Sequence, residues 1–71
     1  MIIDDVPVGS AFTLYPGGGT VYIKMNYVIH HDNNQKCIDT ETWDDTFLRK
    51  TDKVYGVFPV NIGDDGKFYR E

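Results

Sequence analysis

The chain has 71 residues, with eleven acidic and seven basic side chains, a net charge of −4 and 41% hydrophobic content. That length makes one domain, whose core supplies only about 3 to 5 kcal/mol of net stability, and a single cysteine, Cys37, excludes an internal disulfide to reinforce it. The scattered basic residues build no phosphate-tracking face of the kind nucleic acid requires, and no run of about eighteen apolar residues predicts a spanning helix.

The opening Met-Ile-Ile-Asp-Asp-Val-Pro carries acid where a secretory leader carries Lys or Arg. Together with the lone cysteine this sets the expected location in the cytoplasm. Residues 1–5 read as a short edge strand or a loose terminus. Val6-Pro7-Val8-Gly9-Ser10 reads as an opening turn, because Pro7 fixes its own φ and biases Val6 toward extended geometry. From Ala11 to Tyr15 the alternation is that of a half-buried strand, with Phe12 and Leu14 on one face and Ala11, Thr13 and Tyr15 on the other.

Pro16-Gly17-Gly18-Gly19 then forms the reversal of a β-hairpin. Its second arm, Thr20 to His31, is long against a typical strand of about five or six residues. Val21, Ile23 and Met25 take one face and Tyr22, Lys24 and Asn26 the other, before Tyr27-Val28-Ile29 turns apolar on both sides, the mark of a bend or bulge. Asp32-Asn33-Asn34-Gln35 reads as a turn, and Lys36 to Thr40 as the next strand with Ile38 in the core. A turn through Glu41 to Asp45 leads to a short strand, Thr46 to Arg49, or to one helical turn capped by Asp44 or Asp45. Thr51-Asp52-Lys53 is a tight turn before the last strand, Val54 to Val60, where Pro59 places that end at an edge or beyond the pairing. Gly63-Asp64-Asp65-Gly66 signals another turn, so residues 61–71 form a tail or an extra strand beyond a core of about 6–60.

Five short strands at a spacing of about ten residues predict an all-β domain over 1–71: a small antiparallel five-stranded barrel, similar in layout to SH3-like barrels, with a long bent second strand. The segments Val-Pro-Val-Gly-Ser-Ala-Phe-Thr-Leu, Val-Tyr-Ile-Lys, Cys-Ile-Asp-Thr-Glu-Thr and Thr-Asp-Lys-Val-Tyr-Gly-Val-Phe-Pro-Val also resemble a group of very short bacteriophage open reading frames. The resemblance covers residues 6 to 60 and departs at Trp43, where the group tends to have Gly. It implies an origin in a phage and action in the host cytoplasm, with no activity attached.

His30, His31, Asp32 and Cys37 are suitable zinc donors, but adjacent histidines on a strand point to opposite faces, so no metal site is expected. Cys37 lacks a cleft in which to act as a nucleophile and is expected to be a buried, inert cysteine. The pairs Asp4-Asp5, Asp44-Asp45 and Asp64-Asp65 lack the spaced register of a calcium loop, and no Lys-Ser or Lys-Thr follows the glycines to make a phosphate cradle. No cofactor is expected.

The aromatic residues exceed what so small a core buries, and exposed Tyr and Trp favour protein interfaces. The expected function is therefore non-enzymatic: binding of a protein partner, of host or phage, through Tyr22, Tyr27, Trp43 and Tyr55 rimmed by Asp44 and Asp45, with inhibition of a host enzyme or defence component as the consequence. The alternatives are a structural or assembly component that forms a homo-oligomer, and a barrel that stacks single-stranded nucleic acid on its aromatics.

Overall fold

The computed structural model describes residues 1–29, 33–62 and 68–70. A 3₁₀ turn, Ile3–Asp5, precedes six strands: β1 (Ser10–Tyr15), β2 (Gly18–Ile29), β3 (Asn34–Asp39), β4 (Asp45–Arg49), β5 (Tyr55–Ile62) and β6 (Phe68–Arg70). All pairings are antiparallel, in one sheet of order β4-β3-β2-β1-β5-β6. The all-β expectation holds, while the five expected strands become six because the tail returns to pair with β5. Among the described residues the sheet does not close, since β4 and β6 stand at opposite ends of the strand order.

Local chemistry explains the reversal between β1 and β2 and the bulge in β5. Pro16 and Gly17 occupy the β1–β2 turn, and Gly17 at φ 80° supplies the positive dihedral that a type II turn with Pro at its first central position needs at its second. On β5, Gly56 at φ 59° lies where the register against β1 slips between Thr13↔Tyr55 and Ala11↔Phe58, a bulge made with a left-handed glycine. Pro59 lies opposite Ser10 at the end of that register, and the β5–β6 pairing starts one residue later at Val60, so its missing N–H falls where a ladder ends. Residues 46–49 are strand, not helix. Before β5 the chain makes a turn closed by Asp52 N–H donating to the Arg49 carbonyl at 3.0 Å.

β2 spans 12 residues and carries a bulge. Between Lys24↔Cys37 and Val28↔Gln35 it advances four residues while β3 advances two. The interruption leaves backbone groups without ladder partners, and Gln35, 1% exposed, donates from Nε2 to the Met25 carbonyl at 2.7 Å and the Lys36 carbonyl at 3.1 Å. Cys37 and Gln35 are therefore the buried members of β3, and Ile38, expected in the core, is only half-buried on the other face.

The core lies on one face of the sheet. Phe12, Tyr22, Cys37 and Leu48 share that face by register, and Ile3, Val6 and Val54 pack onto it from outside the sheet. The Phe12 and Tyr22 rings lie 6.0 Å apart, within the range of favourable aromatic pairs. The N-terminus is neither an edge strand nor loose. Ile3 N–H donates to the Asp52 carbonyl, Asp4 N–H to Lys50 and Val54 N–H to Met1, and Ile2 bridges Lys53, so residues 50–54 hold the 3₁₀ turn against the sheet.

Lys24 completes the attachment. Its side chain, read from the alternation as one polar face of β2, lies under this cover with the residue 7% exposed. Nζ donates to the carbonyls of Ile3 at 3.1 Å, Asp4 at 3.2 Å and Val6 at 2.8 Å, which uses all three ammonium protons.

Candidate functional site: an apolar groove beside Trp43

The β3–β4 connection is a short loop held by its own backbone. The Asp39 side chain accepts from the Glu41 N–H at 2.8 Å, the Trp43 N–H donates to the Asp39 carbonyl at 2.7 Å, and the Asp39 N–H donates to the Asp44 carbonyl at 3.1 Å. Closing the loop this way drives Trp43 to φ 61°, a left-handed position that bulky residues rarely adopt. The strained backbone aims a large aromatic at the sheet face opposite the core.

There Trp43 borders a groove of about 240 Å³ lined with Ala11, Val21, Ile23, Thr40, Phe58 and Val60. Ala11 and Ile23 are buried and form its floor, while Val21, Phe58 and Val60 are half-buried along its sides. Their convergence follows from register: Ala11 pairs with Ile23 on one side and with Phe58 on the other. Thr40 fixes the loop to β2, its N–H and Oγ1 both donating to the Val21 carbonyl. Glu41, Asp44 and Asp45 are exposed beside Trp43, and Asp45 pairs with Lys36 at 3.4 Å. The lining itself is apolar apart from Thr40.

Of the six residues expected to bind a partner, Trp43 lines this groove, and Asp44 and Asp45 follow it in the chain, exposed but outside the lining. Tyr55 is exposed on β5 opposite Thr13, two positions along β1 from Ala11, outside the lining. Tyr22 lies on the opposite face, half-buried against Phe12 and the core. The side chain of Tyr27 lies outside the described residues, as do His30, His31, Asp32 and the Asp64-Asp65 pair. The groove walls Val21, Phe58 and Val60 were not expected as site residues, although Val21 and Ile23 share a face in the alternation.

Among the described residues no three His, Cys, Asp or Glu side chains gather to hold a metal ion. Cys37 is fully buried, and burial pushes its thiol up to about 12, against a smaller opposite pull from the Lys24 ammonium. A thiol in that state is no nucleophile at neutral pH. No helix among the described residues is long and apolar enough to cross a membrane. Compared with family models, curated proteins and solved structures, the chain matches none of them.

Proposed function

We propose that this chain is a non-enzymatic protein-binding module that takes an apolar side chain of its partner into the Trp43 groove. The observation that carries the reading is the left-handed Trp43: a bulky residue in that conformation costs roughly 1–2 kcal/mol, and here it places 42%-exposed indole at the mouth of an apolar slot. Exposed Trp next to a slot of this kind is the usual chemistry of an interface anchor. The exposed Glu41 and Asp44 close to Trp43 in the chain and the net charge of −4 favour a partner segment with Lys or Arg beside its apolar anchor. They also disfavour a nucleic-acid backbone.

The strand order, a β1–β4 meander with β5 returned beside β1, supports the finer reading of an SH3-like layout. In keeping with the phage-type resemblance, the partner is a host enzyme or defence component met in the cytoplasm and blocked by occupation of its surface.

Trp43→Gly tests this. Glycine relieves the left-handed strain and gives up the indole contacts plus about 0.5–1 kcal/mol of backbone entropy, so stability stays within about 1 kcal/mol of the parent. Affinity capture from a bacterial lysate at moderate salt should retain one stoichiometric protein with the parent and none with Trp43→Gly. Equal capture by both would remove the groove from the reading, and an empty capture by the parent would remove the bacterial partner.

A further inference from the structure

We propose that β4 is a self-complementary edge through which two copies of this chain pair antiparallel about Phe47, joining their sheets into one. The proposal stands apart from the groove and does not depend on what the groove binds.

Among the described residues β4 is an end strand of the sheet, and its five residues are Asp-Thr-Phe-Leu-Arg. Burial alternates along it: Asp45, Phe47 and Arg49 are exposed, while Thr46 and Leu48 are half-buried. The exposed three read acid, aromatic, base. An antiparallel copy centred on Phe47 sets Asp45 opposite the second copy's Arg49, Phe47 opposite Phe47, and Arg49 opposite Asp45. Each charge meets its opposite and the aromatic meets itself, the residue-to-residue reciprocity of a two-fold interface. Any shift of two residues along the strand breaks this match, so the charges fix the register as well as the partner.

The backbone has the matching parity. Lys50 N–H donates to the Asn33 carbonyl and Asp39 N–H to the Asp44 carbonyl, which makes the 33–50 and 39–44 positions the hydrogen-bonded pairs of the β3–β4 ladder. Alternation then directs the N–H and C=O groups of Thr46 and Leu48 toward β3, and those of Asp45, Phe47 and Arg49 toward the outer edge. The residues with complementary side chains are thus the ones that present backbone to a second copy. Sheet edges that avoid association carry a mid-strand charge, a Pro or an inward-pointing Lys; β4 has Phe47 at its centre, 45% exposed. Asp45 keeps Lys36 as its intrachain partner, so in the dimer the carboxylate lies between Lys36 and the second copy's Arg49.

The two-fold axis of an antiparallel pair stands perpendicular to the sheet, so both Trp43 grooves open on the same side. Lys36, Phe47 and Ile38 belong to that face through the register Ile23↔Ile38 and Lys36↔Phe47. Dimerisation would therefore present two grooves in one surface.

Two strands of five residues make a small contact, so association is weak. Sedimentation equilibrium from about 10 μM to about 1 mM, at an ionic strength of about 0.15 M where the repulsion between two −4 chains is screened beyond about 8 Å, should show the mass rising from 8.1 kDa toward twice that value. Asp45→Arg alone and Arg49→Asp alone should each weaken self-association at least tenfold, because like charges then meet at both ends. An equimolar mixture of the two variants should recover parental association, since the edge of one then carries two bases, the edge of the other two acids, and opposite charges meet again at both ends. Circular dichroism and one-dimensional NMR confirm that each variant is folded. A parent that stays at 8.1 kDa throughout, variants that associate like the parent, or a mixture that fails to recover would each overturn the proposal.

Discussion

Cys37 shows how one side chain is set by its surroundings. It is fully buried opposite Lys24 on β2, makes a long contact of 3.7 Å from Sγ to the Gln35 carbonyl, and has its thiol raised from 9.0 to about 12, chiefly by burial. The unfolded chain releases this proton near pH 9 and the native chain only near 12, so across that window the native state binds more protons. The resulting stability is fully present below pH 9 and is lost as pH climbs toward 12. Urea midpoints measured across that range should fall more steeply for the parent than for Cys37→Ala, whatever the offset left by the smaller side chain. Parallel curves would refute the assignment. From sequence, Cys37 was legible as a buried, inert strand residue, but Ile38 read as the surer core member, since neighbouring strand residues differ only in which face turns inward.

At the scale of the element, β2 and β3 depend on a polar side chain inside the sheet. The bulge in β2 disrupts the ladder between Lys24 and Val28, and Gln35 reaches across from β3 to satisfy the Met25 carbonyl. Gln35→Leu keeps the approximate size and removes the donor, so the carbonyl loses that donor at a cost of about 1–3 kcal/mol. Chemical denaturation should show that loss, and amide exchange in β2 and β3 should quicken before exchange in β1. Unchanged stability would mean that water or a shifted backbone replaces the amide. The two-sided apolar run at Tyr27-Val28-Ile29 announced an irregular strand. Its repair by Gln35 could not be read, because a Gln ahead of a strand looks like any solvated turn residue.

The whole molecule is held together by the attachment of its N-terminal segment to the sheet. A one-layer sheet leaves one face to be covered, and Ile3, Val6 and Val54 cover it while the Lys24 ammonium binds three carbonyls of the same segment. Lys24→Met retains an unbranched apolar stem and abandons those carbonyls, a loss of at least about 3 kcal/mol. Since a domain of this size has only about 3 to 5 kcal/mol in hand, the variant should keep at most about 2 kcal/mol, with a sharply lowered denaturation midpoint and with Cys37 more open to thiol reagents. A Lys24→Met variant with an unchanged midpoint and a protected Cys37 would show that apolar cover alone holds the segment. By itself the sequence determined the all-β class, a Pro-Gly reversal within 16–19 (of which Gly18 and Gly19 turn out to begin β2), the two faces of β1 and the irregularity in β2, because period-two alternation and turn chemistry act between near neighbours. It left 46–49 between strand and helical turn and 61–71 between tail and strand. Only the tertiary structure decided that the sheet of the described residues stays open, that Lys24 is buried, and that Ala11, Ile23, Phe58 and Trp43 meet in one groove. Those outcomes rest on contacts between residues about 12 to 47 positions apart, whose pairing depends on which segments find each other in space and leaves no trace in local pattern.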